Sequence, residues 1–597
     1  MGLQKLSNSD VTGTMRILGL SSFQHDTAAA LLQDGAVRAA IENDKLARAR
    51  TRNRPELAIR SCFESVGTDW DGVGLVAVAV QPLKSWFRKS WLRVKLSAAA
   101  PVASAYYAAD EAGALARDLN NLRVLRRCSM KSDHKLIGFD HHLCHAASSF
   151  FLSPFERSLI VTMDEGGDGT SATLGIGEGN RIRVLRTIPF PNSLAWVYSQ
   201  VTDLAGFRPR LDEHKTQWLS LEGQPIYKDV FIKMLRGRRG ALPRLDYSFF
   251  HRGLANQLSF SEKFYRVTRL PQDRKQIGEE QSRNLAASIQ AACAELLTAV
   301  VEDLRQSEGI REVCFAGGLL QNVLLVASLE KSLGADEVFV PPAPGNAGTA
   351  LGAALLAWHH GLQKPRTDAD VHAYLGPKFD RQAVKDVLDN TKSRYTLPTT
   401  EERKLDAAVQ LLQAGKIVGW FQGATEFGPR ALGNRSVLAS PWAAYVKENL
   451  NDFIKHREWF RPFAISVPEE DCPRYFEASR QCRFMNSVGN VLPGSACLPE
   501  GFLLPDGRVR LHVVEKRSNP TFWALLKRFG ERAPAPMLLN TSFNLFGEPL
   551  VVTPRDAMRS YFGSGLDALI IDKFVLSKAA VQATAINLPV NRVGLGA

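Results

Sequence analysis

Short apolar runs that each end in a polar, glycine-bearing turn, set between stretches of helical periodicity, restrict the fold of this chain more than any other feature. From Met15 the sequence reads MRILGLSSFQHDTAAALLQDGAVRAAIEND, two apolar segments around a polar turn with a second turn at Asp34-Gly35. That pattern predicts an opening hairpin of a mixed sheet. Strand character recurs at 158–164, 171–176 and 312–316, while 281–306 has the periodicity of a long amphipathic helix. Strands alternating with helices indicate an α/β architecture. The sequence carries no internal repeat and no low-complexity tract.

At 597 residues the chain exceeds the size at which one core keeps growing, so at least two domains are expected. An Ala/Leu-rich helical stretch ends in HHGLQKPR at 359–366, where Gly and Pro act as stop signals. The expected division is a polar extension over 1–14, a first domain over 15–366 and a second over 367–597. In the second, strands are expected at 416–421 and at 537–539, running into Asn540.

The formal net charge is +13, which admits an anionic partner, but the basic residues are dispersed and form no long Lys/Arg tract. Nucleic acid binding is therefore disfavoured. Eight cysteines form no C-x-x-C pair, the pattern of reduced thiols. The first 14 residues lack the apolar segment of a signal peptide, and no later stretch offers about 18 uninterrupted apolar residues. A cytoplasmic protein without membrane contact is expected; a homodimer is left open.

Three constellations carry chemistry. In Asp140-His141-His142-Leu143-Cys144-His145, opening a small-residue helix, His141 and His145 are four apart and share a face, so both imidazoles can reach one ion. The plain alternative is a pair of core-satisfied histidines. Asp164 ends a β-like run, where a third ligand often sits, and two His with one carboxylate suit Fe2+, Mn2+ or Zn2+. Next come Gly317-Gly318 with Asn322, and Pro344-Gly345-Asn346-Ala347-Gly348, where glycines after strands let the backbone approach a phosphate or ribose. Turns alone account for many such pairs. Third, Glu426-Phe427-Gly428-Pro429-Arg430-Ala431-Leu432-Gly433-Asn434-Arg435, followed by Lys455, Arg457 and Phe460-Arg461-Pro462-Phe463, gathers four guanidinium groups and an ammonium. Such a cluster suits polyanionic phosphates, against the alternative of a salt-bridged surface. Leu539-Asn540-Thr541-Ser542-Phe543-Asn544 ends a strand in polar side chains, the form expected where a sheet edge meets a ligand.

Taken together, Gln24-His25-Asp26, HHLCHAASSF, the Asp164 loop, DEHKTQWLS at 212–220, the Gly317 segment, GPRALGNRS, FRPF, and LNTSFN followed by GEPLVVTP resemble the NodU/CmcH carbamoyltransferase family. The resemblance runs from about Met15 to Asp572. It implies an N-terminal domain of the actin-like ATPase superfamily, similar to threonylcarbamoyl-adenosine synthases, and a C-terminal YrdC-like α/β domain. It also implies that carbamoyl phosphate and ATP give carbamoyl-adenylate and pyrophosphate in the second domain. The carbamoyl group then passes, in the first domain, to the hydroxyl of a small-molecule natural product.

Carried over by motif, Arg430 and Arg461 would be catalytic, with Lys455, Arg510, Asn540 and Ser542 lining the adenylation site. Gly317, Gly318 and Asn322 would contribute to nucleotide binding. His141, His145 and Asp164, with Asn346 as a fourth candidate, would hold Fe2+ or Mn2+; Mg2+ would accompany ATP. His25 would be the base for the acceptor hydroxyl.

Three positions depart from the family pattern: Asn346 stands where an Asp is usual, Arg50 where a Lys is usual, and Arg510-Leu511-His512 replaces an RxQ pattern. Two relatives of the reaction stay open. One is adenylation serving another acyl or ring-forming transfer, and the other is a tRNA threonylcarbamoyl transferase, against which domain order and GPRALGNRS argue. A non-catalytic nucleotide-binding module is a third reading, which the retained His and Arg residues oppose.

Overall fold

A computed structural model describes residues 14–21, 26–49, 55–83, 135–236, 243–250, 260–367, 371–495 and 498–578, with a few isolated positions between 86 and 123. The chain divides into two compact units, Met1–Ala40 with Thr51–Val371, and Ile41–Arg50 with His372–Ala597. The excursion of 41–50 into the second unit has no counterpart in a division drawn at one point of the sequence.

The first unit is built on two five-stranded sheets. One contains β1 (Arg16–Ser21), β2 (Ala28–Gln33), β3 (Ala36–Glu42), β4 (Leu75–Val78) and β5 (Lys135–Gly138) in the order β3-β2-β1-β4-β5. The other contains β6 (Arg157–Gly167), β7 (Thr170–Glu178), β8 (Arg181–Pro189), β9 (Val313–Ala316) and β10 (Val338–Phe339) in the order β10-β9-β6-β7-β8. In both, the leading strand pairs antiparallel with its successor and parallel with the fourth strand, beyond which the fifth adds in parallel. One topology is thus used twice, without a matching repeat of residues. Pairing order follows from apolar pattern and turn placement, so two sequences can share it while sharing few side chains. The Asp34-Gly35 turn has positive φ at both positions, 51° and 83°, as a two-residue hairpin loop of right-handed twist demands.

Between β8 and β9 runs the helix Glu279–Glu308, which buries Leu285, Ile289, Leu296, Leu297, Val300 and Val301 against Val161, Leu174 and Phe315. It is long and apolar enough to cross a membrane by length and composition, yet most of its apolar window is buried inside this unit. Each such side chain contributes about 1.5–3 kcal/mol through burial.

The second unit holds one nine-stranded mixed sheet, ordered β14-β15-β16-β13-β17-β12-β11-β18-β19. Its strands are β11 (Val418–Phe421), β12 (Arg435–Ala439), β13 (Ala464–Pro468), β14 (Phe476–Glu477), β15 (Val488–Val491), β16 (Arg508–Val514), β17 (Leu538–Ser542), β18 (Ala568–Ile571) and β19 (Phe574–Ser577). Successive residues face opposite sides. Val418, Trp420, Leu538 and Ile570 pack against the helices Glu401–Gln413 and Pro520–Gly530, whereas Phe421, Leu539, Leu569 and Ile571 pack against Arg381–Asn390 and Pro554–Phe562. Apolar residues at consecutive positions of β11, β17 and β18 are therefore read as strands covered on both faces.

Candidate functional site

The helix His141–Phe150 starts at Asp140, whose carboxylate accepts hydrogen bonds from the amides of His142 and Leu143. This cap satisfies orphan donors and fixes where the first turn begins. His141 and His145 then lie one turn apart with their Nε2 atoms 3.1 Å from each other. Oδ2 of Asp164, on β6, is 3.1 Å from His141 Nε2 and 3.4 Å from His145 Nε2. Gly167 makes this close fit feasible, since a Cβ there would sit 2.0 Å from Cδ2 of His141. His142 faces the other way and is consumed by Thr162 Oγ1 at 2.8 Å and the Thr170 carbonyl at 2.9 Å.

The electrostatics of the triad are those of a shared proton. Burial opposes charge on Asp164, but the hydrogen bonds and charges of both histidines hold its carboxyl well below the usual range. Burial likewise opposes a proton on His141, which the Asp164 bond and charge, with Asp168 and Asp140, outweigh. His145 goes down, through burial and the charge of His141. One acidic oxygen and two ring nitrogens, all buried and within 4.8 Å of one another, form a candidate metal-binding group among the described residues. The set fits a divalent cation, which needs unprotonated imidazoles and an ionised carboxylate.

Asn346 is buried, and its side chain favours the protonated form of His145 against the burial that lowers it. Gly317, at φ 105°, comes so close to β6 that a Cβ would lie 2.0 Å from the Met163 carbonyl oxygen, and its amide donates to the Pro344 carbonyl at 2.8 Å. A Cβ on Gly318 would lie 2.8 Å from Asp164 Oδ1. Both glycine-rich segments therefore border the His/Asp cluster.

The second unit gathers positive charge. Arg430, in the loop between β11 and β12, is pushed down to about 10 by burial and by Arg461. Arg457 goes down to about 9 for the same two reasons. Lys455 lies well below its usual value through burial, Arg457 and Arg461, and Arg510 through burial, Arg430, Arg457 and Arg461. Arg461 pairs with Glu458 at 3.5 Å. Lys455 donates to the Ser542 carbonyl, to the Asn544 carbonyl at 3.1 Å and to Asn544 Oδ1 at 2.9 Å, and Ser542 Oγ donates to Asn544 Oδ1 at 2.8 Å. Asn540, in the middle of β17, donates to Ser466 Oγ at 3.0 Å, and Ser466 pairs with His512 Nδ1 at 2.9 Å. The structure thus brings together Arg430, Arg461, Lys455 and Arg510, with Ser542 beside Lys455 through Asn544.

Two family models cover most of the chain, Carbamoyltransferase N-terminus over residues 16–355 and Carbamoyltransferase C-terminus over residues 409–578. The chain belongs to the carbamoyltransferase family. Nodulation protein NolNO of Sinorhizobium fredii is 32% identical over 94% of this chain and 80% of its own length. An uncharacterised protein of Synechocystis is 31% identical over 94% of the chain and 97% of its own length. The 3'-hydroxymethylcephem-O-carbamoyltransferase of Amycolatopsis lactamdurans is 32% identical over 40% of the chain and 43% of its own length. The chain is accordingly an enzyme that transfers carbamoyl groups.

Within this carbamoyltransferase two residues of the chemical motifs are occupied elsewhere. Arg435 shares a motif with Arg430 but opens β12, is fully buried and donates to the carbonyls of Gln422, Asn434, Gly423 and Pro377. Its guanidinium also covers the Phe421 ring at 3.6 Å, so it braces the loop and does not join the cluster of Arg430, Lys455, Arg461 and Arg510. The Asn322 carboxamide caps the helix Val323–Leu333 and pairs amide to amide with Gln290 at 3.1 and 2.7 Å. These bonds employ both ends of the side chain.

Sequence reasoning missed Glu426, whose Oε1 accepts the amides of Leu432, Asn434 and Arg435 at 2.8, 2.9 and 3.2 Å and so shapes the Arg430 loop from within. A single acidic residue before Gly-Pro gives no signal of that. His25, Arg50 and almost all of the 84–128 insert lie outside the described residues.

Proposed function

We propose that this carbamoyltransferase is an ATP-dependent O-carbamoyltransferase that works through carbamoyl-adenylate, made in the second unit and consumed in the first. The observation that carries the reading is the crowding of Arg430, Lys455, Arg457, Arg461 and Arg510, each of which burial and a neighbouring cation drive below its ordinary value or, for Arg461, which presses on the other four. Like charges held together out of water cost free energy that a polyanion returns on binding. ATP beside a second phosphate compound supplies that polyanion.

The proposed order of events balances its atoms. Water cleaves carbamoyl phosphate to carbamate and phosphate; a carbamate oxygen attacks the α-phosphorus of ATP, and pyrophosphate leaves. Arg430 and Arg461 neutralise charge developing on the transferring phosphoryl oxygens, with Lys455 and Arg510 holding the phosphates and Mg2+ accompanying ATP. The acceptor's hydroxyl oxygen then attacks the carbamoyl carbon, its proton passes to a base, for which His25 is the candidate, and AMP leaves. A divalent cation held by His141, His145 and Asp164, Fe2+ or Mn2+ by ligand type, would supply positive charge for the adenylate phosphate. Enclosure from water protects the labile intermediate.

The name of the cephem O-carbamoyltransferase relative supports a hydroxyl acceptor on a small natural product, and the identity of that acceptor is open. The test is pyrophosphate release from ATP that depends on carbamoyl phosphate, followed by the mass gain of one carbamoyl group on a hydroxylated acceptor. Pyrophosphate release indifferent to carbamoyl phosphate would sink the adenylate route while leaving carbamoyl transfer standing.

A further inference from the structure

The excursion Ile41–Arg50 falls within the span matched by the N-terminal family model, yet it belongs to the second unit. Its contacts there are specific. Glu42 Oε1 accepts the Gly428 amide at 2.8 Å, and Glu42 Oε2 pairs with Lys45 Nζ at 2.9 Å. The same ammonium donates to the carbonyls of Glu426 at 2.8 Å and Gly428 at 2.7 Å, so its three donors are all engaged. Arg48 donates to the carbonyls of Pro549 at 2.6 Å and Leu550 at 2.7 Å and pairs with Glu548 Oε2 at 2.7 Å. The Glu548 carbonyl in turn accepts from the Asn544 side chain at 2.7 Å, and Asn544 is the partner of Lys455.

Each arm of this segment therefore ends one step from a cation of the anion site. Glu42 and Lys45 hold the backbone two residues before Arg430, and Arg48 holds the loop that receives Lys455. A buried ion pair such as Glu42–Lys45 is poor evidence for stability, because desolvation offsets its attraction and apolar replacements are often neutral. What it does enforce is geometry, since Gly428 is held at its amide by Glu42 Oε1 and at its carbonyl by Lys45 Nζ.

We propose that Glu42, Lys45 and Arg48 are positioning residues of the adenylate-forming site, supplied by a segment of sequence that lies far ahead of that domain. The inference rests on the adenylation reading above. The experiment uses the full chain and follows pyrophosphate release from ATP and carbamoyl phosphate in Lys45→Met, Glu42→Gln, Arg430→Ala and the Lys45→Met/Arg430→Ala double variant. Lys45→Met is expected to lower kcat by about 10²-fold, the scale of an ångström's misplacement, with the KM for ATP within a few-fold of wild type. Glu42→Gln, which keeps shape and removes charge, is expected to lower kcat in the same sense and serves if Lys45→Met does not fold. The double variant should be no slower than Arg430→Ala alone, because a misplaced Arg430 and a missing one fail alike.

Wild-type kcat in both single variants, or losses that multiply in the double variant, overturns the inference. Should Arg430→Ala itself release pyrophosphate normally, the adenylation reading falls and this inference with it. Loss in Arg430→Ala beside intact Lys45→Met and Glu42→Gln overturns only the present proposal.

Discussion

The His/Asp cluster of the first unit and the arginine cluster of the second handle buried charge in opposite ways. In the first, Asp164, His141 and His145 balance one another: the carboxyl is held well down, one imidazole is raised and the other lowered. In the second, Lys455, Arg430, Arg457 and Arg510 are all driven down, with other arginines among the causes. A balanced cluster can exchange its proton for a metal ion with little rearrangement of charge, whereas an unbalanced one waits for an anion of several charges. Two sites that differ in sign cannot substitute for each other, and this makes their independence testable.

The largest effect is expected at the unbalanced cluster. Arg430→Ala or Arg461→Ala should lower pyrophosphate release by about 10²–10³-fold, the scale seen when one preorganised charge-stabilising group is removed. Metal content should not change. Retention of most release in both variants would remove the anion site from this cluster and with it the contrast between the units.

Next in size is the converse experiment. His141→Ala removes one of three donor atoms, and metal binding should weaken by more than the roughly 10–100-fold that loss of an outer-shell partner costs. Pyrophosphate release should stay near wild type. Metal analysis and the pyrophosphate assay on one preparation decide it; joint loss from a folded variant would mean that the two clusters do not act separately.

A third expectation concerns a buried imidazole two residues beyond Arg510 on β16. Burial pushes His512 down to about 3, against about 6.5 for an ordinary imidazole. The folded value is the lower one, so between pH 6.5 and 3 the unfolded chain binds the extra proton and stability falls as pH falls. From pH 7 to pH 5 the loss should be roughly 2 kcal/mol for this one group. His512→Gln, which restores the amide of the family pattern beside Ser466 and Asn540, should remove that share of acid sensitivity. Denaturant midpoints of the two proteins at both pH values give the answer, and parallel slopes would mean that His512 does not carry it.

Much of this arrangement was legible in the sequence because it is local. The expected strand at 158–164 is the middle of β6, 312–316 is β9 extended by a residue at its start, and the helix expected over 281–306 runs over Glu279–Glu308. The i, i+4 histidines could be paired because Asp140 announces the helix start. What was illegible depends on contacts across hundreds of residues or on side-chain direction. Arg430 and Arg435 read alike in GPRALGNRS, but one stays in the loop while the other starts a strand and turns to buried carbonyls. Asn322 reads as a polar residue after a Gly-Gly turn, and its employment by Gln290 is visible only once the helix carrying Gln290 is packed beside it. Nothing in 41–50 marks it as part of another unit.

The smallest expected effect, and the one that bears most closely on the balanced cluster, is that of Asn346→Asp. Asn346 reaches His145 from the loop that leads into the helix Gly348–Leu356, and its backbone carbonyl is held by Thr349 at 3.1 Å from the amide and 2.6 Å from Oγ1. The side chain is thereby fixed beside one candidate ligand while carrying no charge. An aspartate in the same place adds a second anionic oxygen to a set that has one, and a hard or borderline cation prefers that to an amide oxygen. Metal binding should tighten by about 1–2 kcal/mol, tenfold or somewhat more in Kd. Pyrophosphate release, which the proposed function assigns to the arginines, should not respond. Calorimetric titration of both metal-free proteins with Mn2+ or Fe2+ measures the difference, and equal affinities would place position 346 outside the coordination sphere, leaving two imidazoles and Asp164 as the candidate ligands among the described residues.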